Sequence, residues 1–180
     1  MLPFQVNESI LIKLIRLQER DELYTLIDEN RAHLREWLLW VDKRQSPIDL
    51  DPILAMWIQN YEDRNGFDAG VWRDGKLVGM IGLHYIDWKN KVTSIGYFLA
   101  ESAEGKGIIT KSITRLLEIL FSELKLNRVI IQCAETNLKS RSVPERIGFI
   151  NEGISREAQW LYDHYENIVT YSMLSSDWNT

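Results

Sequence analysis

The spacing of apolar residues changes from a helical period to a strand-like period at Gly66. Before it, apolar side chains recur at helical spacing and predict helices over residues 21–30, 34–41 and Ile53 to Asn65. A strand-type run, Ile10 to Leu17, precedes these helices. Gly66 itself is suited to end the third helix, because glycine readily adopts the left-handed conformation of a helix C-terminus.

Three strands joined by short polar turns follow Gly66. Alternating apolar residues predict strands over Phe67 to Arg73, Leu77 to Ile86 and Val92 to Leu99. Asp74-Gly75 is a typical two-residue hairpin turn, and Lys89-Asn90-Lys91 forms a second polar turn. Strands joined this closely pair antiparallel, so this part of the chain is predicted to be a meander.

The last part of the chain returns to mixed helical and extended patterns. Residues 109–124 form an amphipathic helix, and Arg128 to Ala134 form a strand behind it. A strand–helix–strand connection of this kind implies a right-handed parallel crossover. Asn137 to Ile147 predict a further helix, and Phe149 to Gln159 with Tyr165 to Leu174 predict a final hairpin.

Length and charge narrow the class of protein. The chain has the size of one domain, so we expect a single α/β (α+β) unit, residues 1–180, with a mixed, mostly antiparallel sheet flanked by helices. The net charge of −5 argues against a wide nucleic-acid interface. Cys133 is the single cysteine and cannot form an internal disulfide, which favours a reducing compartment. The start of the chain does not resemble a signal peptide, and no apolar run approaches the roughly 20 residues of a membrane span, so we expect a cytoplasmic protein without a membrane partner.

Gly105 and Gly107 lie between the third meander strand and the long amphipathic helix. This order directs free backbone N–H groups and the positive end of a helix dipole at one point, which favours a phosphate. The Walker pattern is not met, and the dinucleotide-binding fingerprint fails at Thr110 and by its position after a meander. A plain helix N-terminus, with Glu101 and Glu104 interacting with the dipole, is the alternative.

A second motif, residues 137–149, identifies what kind of phosphate is expected. Its Asn137, its serines and its ending Glu145-Arg146-Ile147-Gly148-Phe149 resemble a signature of the GNAT family of N-acetyltransferases. The glycine loop is similar to that family's Gln/Arg-x-x-Gly-x-Gly/Ala motif, with Ser102 at its first position. The resemblance covers Ile10 to about Leu174. It is strongest to the RimJ/RimL branch, which acetylates ribosomal proteins, in the stretches Leu34–Trp40, Ile95–Leu99, Gly105–Thr110 and Pro144–Gly153.

The resemblance implies acetyl-CoA as co-substrate and a GNAT fold with a splayed central V. In that fold the strand that ends at Leu99 separates from its parallel neighbour, and the pantetheine arm lies in the gap. The implied cofactor-binding backbone is that of Phe98, Leu99 and Ala100 for pantetheine, and that of Gly105, Lys106, Gly107, Ile108, Ile109 and Thr110 for the pyrophosphate. Asn137 would bind the pantetheine arm, and Ser140 would bind there and protonate the departing thiolate as the catalytic acid.

Alternatives to these roles stay open. Asn137 and Ser140 also fit an ordinary helix N-cap, and Ser142 or a water is a rival for the acid. Lys106 either contacts phosphate or remains solvated. Glu101 and Glu104 are unfavourable beside a phosphate, so we expect both to point into solvent.

The general base has no evident candidate. The RimL-type enzymes are expected to place a glutamate where this chain has Gln159, and a glutamine cannot accept a proton. The possible substitutes, directly or through water, are Glu101, Tyr97, Asp87 and His84. The three histidines show no ligand spacing, so we predict no metal.

The sequence therefore predicts an acetyl-CoA-dependent N-acetyltransferase. The acceptor implied by the resemblance is the α-amino group of a ribosomal protein, attacked directly in a ternary complex. A small amine such as a polyamine, aminoglycoside or amino acid is the close alternative. A non-catalytic acyl-CoA-binding module and a nucleotide-binding regulator are the alternatives from other classes. The branch also implies a homodimer. Trp37 and Trp40 are expected either near the acceptor groove or in the core.

Overall fold

The computed structural model describes residues 1–178 and arranges them as one mixed sheet flanked by helices. The strands are β1 (Phe4–Gln5), β2 (Ile10–Leu14), β3 (Phe67–Arg73), β4 (Lys76–Asp87), β5 (Val92–Leu99), β6 (Arg128–Ala134), β7 (Ile150–Leu161) and β8 (His164–Leu174). The α-helices are α1 (Arg20–Glu29), α2 (Arg31–Leu34), α3 (Asp51–Glu62), α4 (Ile108–Glu118) and α5 (Leu138–Ile147). Within the sheet the strand order is β1-β2-β3-β4-β5-β6-β8-β7.

The central strands β5 and β6 are parallel and separate part way along their length. Their Cα pairing runs from Val92 and Arg128 to Ile95 and Ile131, where it ends. Beyond that point β5 continues to pair with β4, and β6 continues to pair with β8. The pairs between the other neighbouring strands are antiparallel. The predicted meander, parallel connection and splayed V are therefore confirmed.

The helices divide between the two faces of the sheet. Helices α1 and α3 pack against β4 and β3, on the face that carries Met80. Helix α5 covers the opposite face, where Tyr97 of β5 reaches its backbone, and α4 packs beside α5. Both faces are closed by fully buried aliphatic side chains, among them Leu23, Leu116 and Val129. The two helical layers leave the V open between them.

The predicted second helix is the main departure from the sequence expectation. The chain forms only the single turn α2 and then a 3₁₀ turn, Leu39–Lys43. Leu38 between them is extended, with φ −124° and ψ 91°. The helical spacing of the apolar residues does not reveal this break, because Leu34 in the first short turn and Val41 in the second are both buried.

Other differences concern the ends of elements. Strand β1 was not expected, and β2 ends at Leu14 rather than Leu17. Helix α3 begins at Asp51 because Pro52 is accommodated in the first turn, where no backbone donor is needed. Helix α4 runs on into a π-helical turn, Ile119–Glu123, which completes the predicted long helix. No helix within residues 1–178 is long and apolar enough to cross a bilayer.

Candidate active site

The V opens into a cleft of about 1500 Å³ that reaches both helical layers. Ile27 of α1 and Trp57 of α3 line one end, and Ile109 of α4 and Ser140 of α5 line the other. The floor is the diverging backbone of β5, at Gly96 and beyond. A substrate that enters from one layer can therefore meet a substrate that enters from the other.

The glycine loop forms one wall of this cleft. Gly105 and Gly107 have φ values of 71° and 69°, and Gly107 is the residue before the first turn of α4. The N–H of Lys111 donates to the carbonyl of Gly107 at 3.0 Å, so the amides ahead of Lys111 lie before the first helical hydrogen bond. A Cβ at either glycine would meet no atom within 4 Å. The loop is thus an open cradle of amides, which suits an anion.

Most of the predicted cofactor-binding residues lie on the cleft, and two do not. The residues that line it are Phe98, Leu99, Gly105, Gly107, Ile108, Ile109, Thr110, Asn137 and Ser140. Ala100 is engaged on both backbone groups, since its N–H donates to Val78 and its carbonyl accepts from Ala103, each at 2.9 Å. Lys106 turns back, and its Nζ donates to the carbonyl of Ser102 at 2.6 Å. Both residues are therefore engaged within the protein, and their cofactor-binding roles stay predictions.

Ser140 is held at the closed end of the V by contacts from three elements. Its N–H donates to Asn137 Oδ1 at 3.0 Å, which caps α5. Its hydroxyl donates to the Tyr97 hydroxyl at 3.3 Å and lies 3.2 Å from Cys133 Sγ. The Tyr97 hydroxyl in turn donates to the Ser140 carbonyl at 2.9 Å. The serine is both a capped helix residue and a fixed hydroxyl facing the cleft.

Burial sets the protonation of the two groups that face Ser140. It raises the pKa of Tyr97 above its ordinary range, and the Tyr97 phenol stays protonated at neutral pH. It also raises the pKa of the Cys133 thiol. Because the Tyr97 phenol stays protonated, the phenolate that could accept a proton is not formed, which argues against Tyr97 as the general base.

The rival hydroxyl is occupied elsewhere. Ser142 also lines the cleft, but its hydroxyl donates to the carbonyl of Lys139 at 2.7 Å within the same helix. Because the Ser142 hydroxyl donates to the backbone of its own helix, its proton is not directed into the cleft. Ser140 is therefore better placed than Ser142 to act on a group in the V.

Charged side chains surround the mouth of the cleft next to the glycine loop. Glu104 does not point into free solvent as expected, since its carboxylate lies 2.9 Å from His33 Nε2 and 2.6 Å from Lys139 Nζ. Glu101 is exposed as expected. Lys111 and Arg146 also line the cleft. No role for these two cations was evident from the sequence, although both lie on the helices of the two motifs.

The four suggested bases differ in position. Glu101 and Asp87 are absent from the cleft lining, and Asp87 accepts two hydrogen bonds from Asn90 that lower its pKa. His84 does line the cleft, and burial lowers its pKa, so its imidazole is neutral at pH 7. Gln159 also lines the cleft, which leaves an amide where a carboxylate was expected.

An acidic residue that the sequence analysis missed also faces the cleft. Asp68 of β3 lies opposite Gly82 of β4, which lies opposite Gly96 of β5. Burial alone raises the pKa of Asp68 to about 6. The sequence signal was a carboxylate within the otherwise apolar run Phe67 to Trp72 of this strand.

The histidines do not assemble. His33 pairs with Glu104 at the cleft mouth, His84 lies on the sheet, and His164 lies between Asp163 and Glu166 in the β7–β8 hairpin. Among residues 1–178 no group of three or more His, Cys, Asp and Glu side chains could hold a metal ion. His33 and His164 therefore contact carboxylates at separate places, and His84 faces the cleft.

Comparison with known proteins agrees with this geometry. The sequence model of the acetyltransferase (GNAT) domain matches residues 10–150. The chain is 41% identical over 179 residues to "Putative ribosomal N-acetyltransferase YdaF" of Bacillus subtilis, covering 99% of this chain and 98% of that protein. It is 29% identical over 170 residues to the ribosomal-protein-serine acetyltransferase of Escherichia coli, covering 94% and 95%. A crystal structure titled "Probable acetyltransferase" superimposes with a TM-score of 0.94 at 41% identity, covering 99% of each chain.

The chain belongs to the GNAT family of acetyltransferases. It is an N-acetyltransferase, and its relatives include proteins of the RimL-like ribosomal branch. Acetyl-CoA is the acetyl donor of this family. The residues present fit such a donor, because the open amide cradle at Gly105 and Gly107 suits a pyrophosphate and the unpaired edge of β5 beyond Ile95 leaves room for an extended arm.

Proposed function

We propose that this enzyme transfers the acetyl group of acetyl-CoA to the α-amino group of a protein, in particular a ribosomal protein. The observation that carries the proposal is the cleft, which is lined from both helical layers and is reached from the α1–α3 end by Leu23, Ile27 and Trp57. A chain terminus can enter such a groove without being enclosed. Trp37, Trp40 and Trp57 line this end and supply an apolar wall for the first side chains of an acceptor.

The donor is proposed to occupy the opposite end. The amides of residues 105–110 and the cations Lys111 and Arg146 would hold its phosphates. The backbone of Phe98 and Leu99 and the Asn137 side chain would hold the pantetheine arm. Asn137 Oδ1 already accepts from the Ser140 N–H, so its side-chain amide N–H groups are the donors it has left for a ligand.

The chemistry proposed is direct attack in a ternary complex. The nitrogen lone pair of the neutral amine forms a bond to the thioester carbonyl carbon, and the carbon–sulfur bond then breaks with its electron pair moving to sulfur. The amine gives up one proton to a base, and the thiolate gains one from an acid. Ser140 is the proposed acid, because its hydroxyl is fixed by Tyr97 and faces the cleft beside Cys133.

We also propose that the enzyme is cytoplasmic and forms a homodimer. The homodimer is supported by β7, the last strand of the sheet, which carries exposed Ile150 and Ile154 along an edge without a strand partner among residues 1–178. Exposed apolar strands at a sheet edge are common association surfaces. Light scattering of the purified protein measures the oligomer, and a monomer at micromolar concentration would refute it.

The acceptor class is tested by mass spectrometry after incubation with acetyl-CoA. The panel contains peptides that begin with Ser or Ala, the same peptides blocked at the N-terminus, spermidine and an aminoglycoside. We expect acetylation at the α-amino group of the free peptides and none on the blocked ones. Preferred acetylation of spermidine or the aminoglycoside would favour a small-amine enzyme. CoA binding without any thiol release would favour a non-catalytic module, and greater thermal stabilisation by ATP or NAD than by CoA would favour a nucleotide-binding regulator.

A further inference from the structure

The side chain of Asp68 leans across the sheet towards the V. An ideal Cβ at Gly82 would lie only 2.6 Å from Asp68 Oδ1, so the carboxylate covers the neighbouring strand β4. That closeness is possible because Gly82 has no side chain. The carboxylate is thereby directed towards β4, the strand between β3 and β5.

The row of residues that begins at Asp68 leads to the point where the V opens. Asp68 pairs with Gly82, and Gly82 pairs with Gly96 of β5. Gly96 is the residue directly after Ile95, where pairing between β5 and β6 ends. The Asp68 carboxylate lies over Gly82 and the His84 imidazole lies over Gly96, so an amine that reaches this row meets these two side chains.

The surroundings of Asp68 leave its charge for a ligand. Within the described residues 1–178, burial is the cause that shifts its pKa, and no hydrogen bond or charged neighbour contributes. Leu23 and Ile27 of α1 and Trp57 of α3 line the same end of the cleft. The half-buried Asp68 carboxylate lies among apolar groups, which is unfavourable unless something cationic pairs with it.

We propose that Asp68 binds the amino group of the acceptor and removes its proton before the nitrogen attacks the thioester. The first proton moves from the ammonium nitrogen to a carboxylate oxygen of Asp68, which later releases it to solvent, and the freed lone pair forms the bond to the carbonyl carbon. As the carbon–sulfur bond breaks, the Ser140 hydroxyl gives its proton to the sulfur and regains one from the nitrogen, which thereby loses its second proton. Asp68 thus takes the general-base role that the amide of Gln159 cannot fill. The inference rests on the proposed transfer to an amine, and it holds for a protein terminus or a small amine alike.

Other titratable groups line this cleft, and the pH measurements below distinguish them from Asp68. Those that reach it from β4 and from the segment between α1 and α3 are His84, His33, Glu36 and Arg44. His84 is the nearest rival, because its imidazole lies over Gly96, where an ideal Cβ would be 2.2 Å from Nε2. It contacts Ser94 Oγ at 3.5 Å through Nδ1.

The experiment compares Asp68→Asn with wild type on whichever amine the wild type acetylates. Asp74→Asn in the exposed β3–β4 turn is the matched control, since it makes the same change outside the cleft. We expect Asp68→Asn to lower kcat/KM at pH 7 by at least 100-fold with unchanged CoA affinity, and Asp74→Asn to stay within twofold. Wild-type kcat/KM should rise with pH through about 6, where the carboxyl ionises, and the variant should lose that step. A loss under threefold, or retention of the step in Asp68→Asn and its loss in His84→Gln, would overturn the proposal.

If no amine is acetylated, a binding measurement separates the proposed role of Asp68 from the proposed acetyl transfer. Glycinamide is titrated into the CoA-bound protein carrying carbon-13 in its aspartate carboxyl groups. We expect the resonance that is absent from Asp68→Asn to move on addition of glycinamide. No movement would overturn the role of Asp68, whereas movement without turnover would refute the proposed acetyl transfer alone.

Discussion

The hydroxyls of Ser140 and Tyr97 lie 3.3 Å apart, and the tyrosine also donates to the serine carbonyl at 2.9 Å. One contact fixes the side chain and the other fixes the backbone, so β5 and the start of α5 are joined at the end of the V. The single proton of the Tyr97 phenol is used on the carbonyl. The Ser140 proton is therefore the one that can be passed to a leaving group.

Replacing Ser140 by alanine should lower kcat by more than tenfold and leave the Kd for CoA within about twofold. The substitution removes the proton donor, whereas the cap on α5 uses the backbone N–H of residue 140 and survives. Thiol release and calorimetric titration with CoA measure the two quantities. Ser142→Ala should keep kcat within about twofold, and a larger loss there than in Ser140→Ala would transfer the acid role to Ser142.

Tyr97→Phe should lower stability by about 1 kcal/mol for its lost hydrogen bonds and lower kcat by less than Ser140→Ala does. Tyr97 positions Ser140, so its effect depends on the serine hydroxyl being present. In a double-mutant cycle, Tyr97→Phe should have little further effect on kcat once Ser140 is alanine. Independent, additive losses in kcat would show that Tyr97 acts on the substrate by itself.

The residues of the proposed donor half could be selected from the sequence because they are contiguous. The glycine loop and residues 137–149 each form a local turn and helix start, and local geometry follows from local residue types. Asp68 was not predictable in this way. Its position beside the V depends on strand register and on apolar side chains from α1 and α3, which lie far away in sequence.

The same distinction applies to the charged side chains of the glycine loop. Lys106 and Glu104 lie in the predicted loop, but their partners are Ser102, His33 and Lys139, and long flexible side chains choose partners by tertiary proximity. The amide cradle itself does not depend on those choices.

Gly107→Ala should weaken CoA binding by about tenfold and lower stability by about 1 kcal/mol. An alanine at φ 69° is strained, and relief of that strain would reorient the amides at the start of α4. Gly75→Ala is the matched control, because Gly75 has φ 77° and the same open space around it but lies in the β3–β4 turn. Gly75→Ala should show the stability loss without the loss of CoA affinity. Equal CoA affinity in both variants would argue against the cradle.

Glu104→Gln should tighten CoA binding several-fold at low ionic strength. The carboxylate is a negative charge beside a phosphate site, and its removal also releases Lys139 from a 2.6 Å contact. The gain should shrink as salt rises from 0.01 M to 0.15 M, because exposed charges are screened. Glu101→Gln, an exposed site outside the cleft lining, should have little effect on the Kd. Weaker binding in Glu104→Gln would indicate that the carboxylate serves to orient Lys139 for the ligand.

Glu152→Gln should lower stability at pH 7 by about 1 kcal/mol, a value reduced for the partial exposure of the pair. Arg128 reaches across β8 and binds both oxygens of Glu152, and Ser172 donates to one of them at 2.8 Å. These contacts, those of Arg128 foremost, lower the pKa of Glu152 to about 2.

A folded-state pKa below the unfolded value of about 4.3 means that the stabilisation is present above that pH and is lost as pH falls towards 2. The difference in unfolding free energy between wild type and Glu152→Gln should therefore narrow between pH 5 and about pH 3. Urea titrations at several pH values measure it. Glu118→Gln, which breaks the exposed i,i+3 pair with Arg115, should change stability by only a few tenths of a kcal/mol. A pH-independent difference in Glu152→Gln would mean that β7 is held by packing, and that the ionised carboxylate contributes nothing to it.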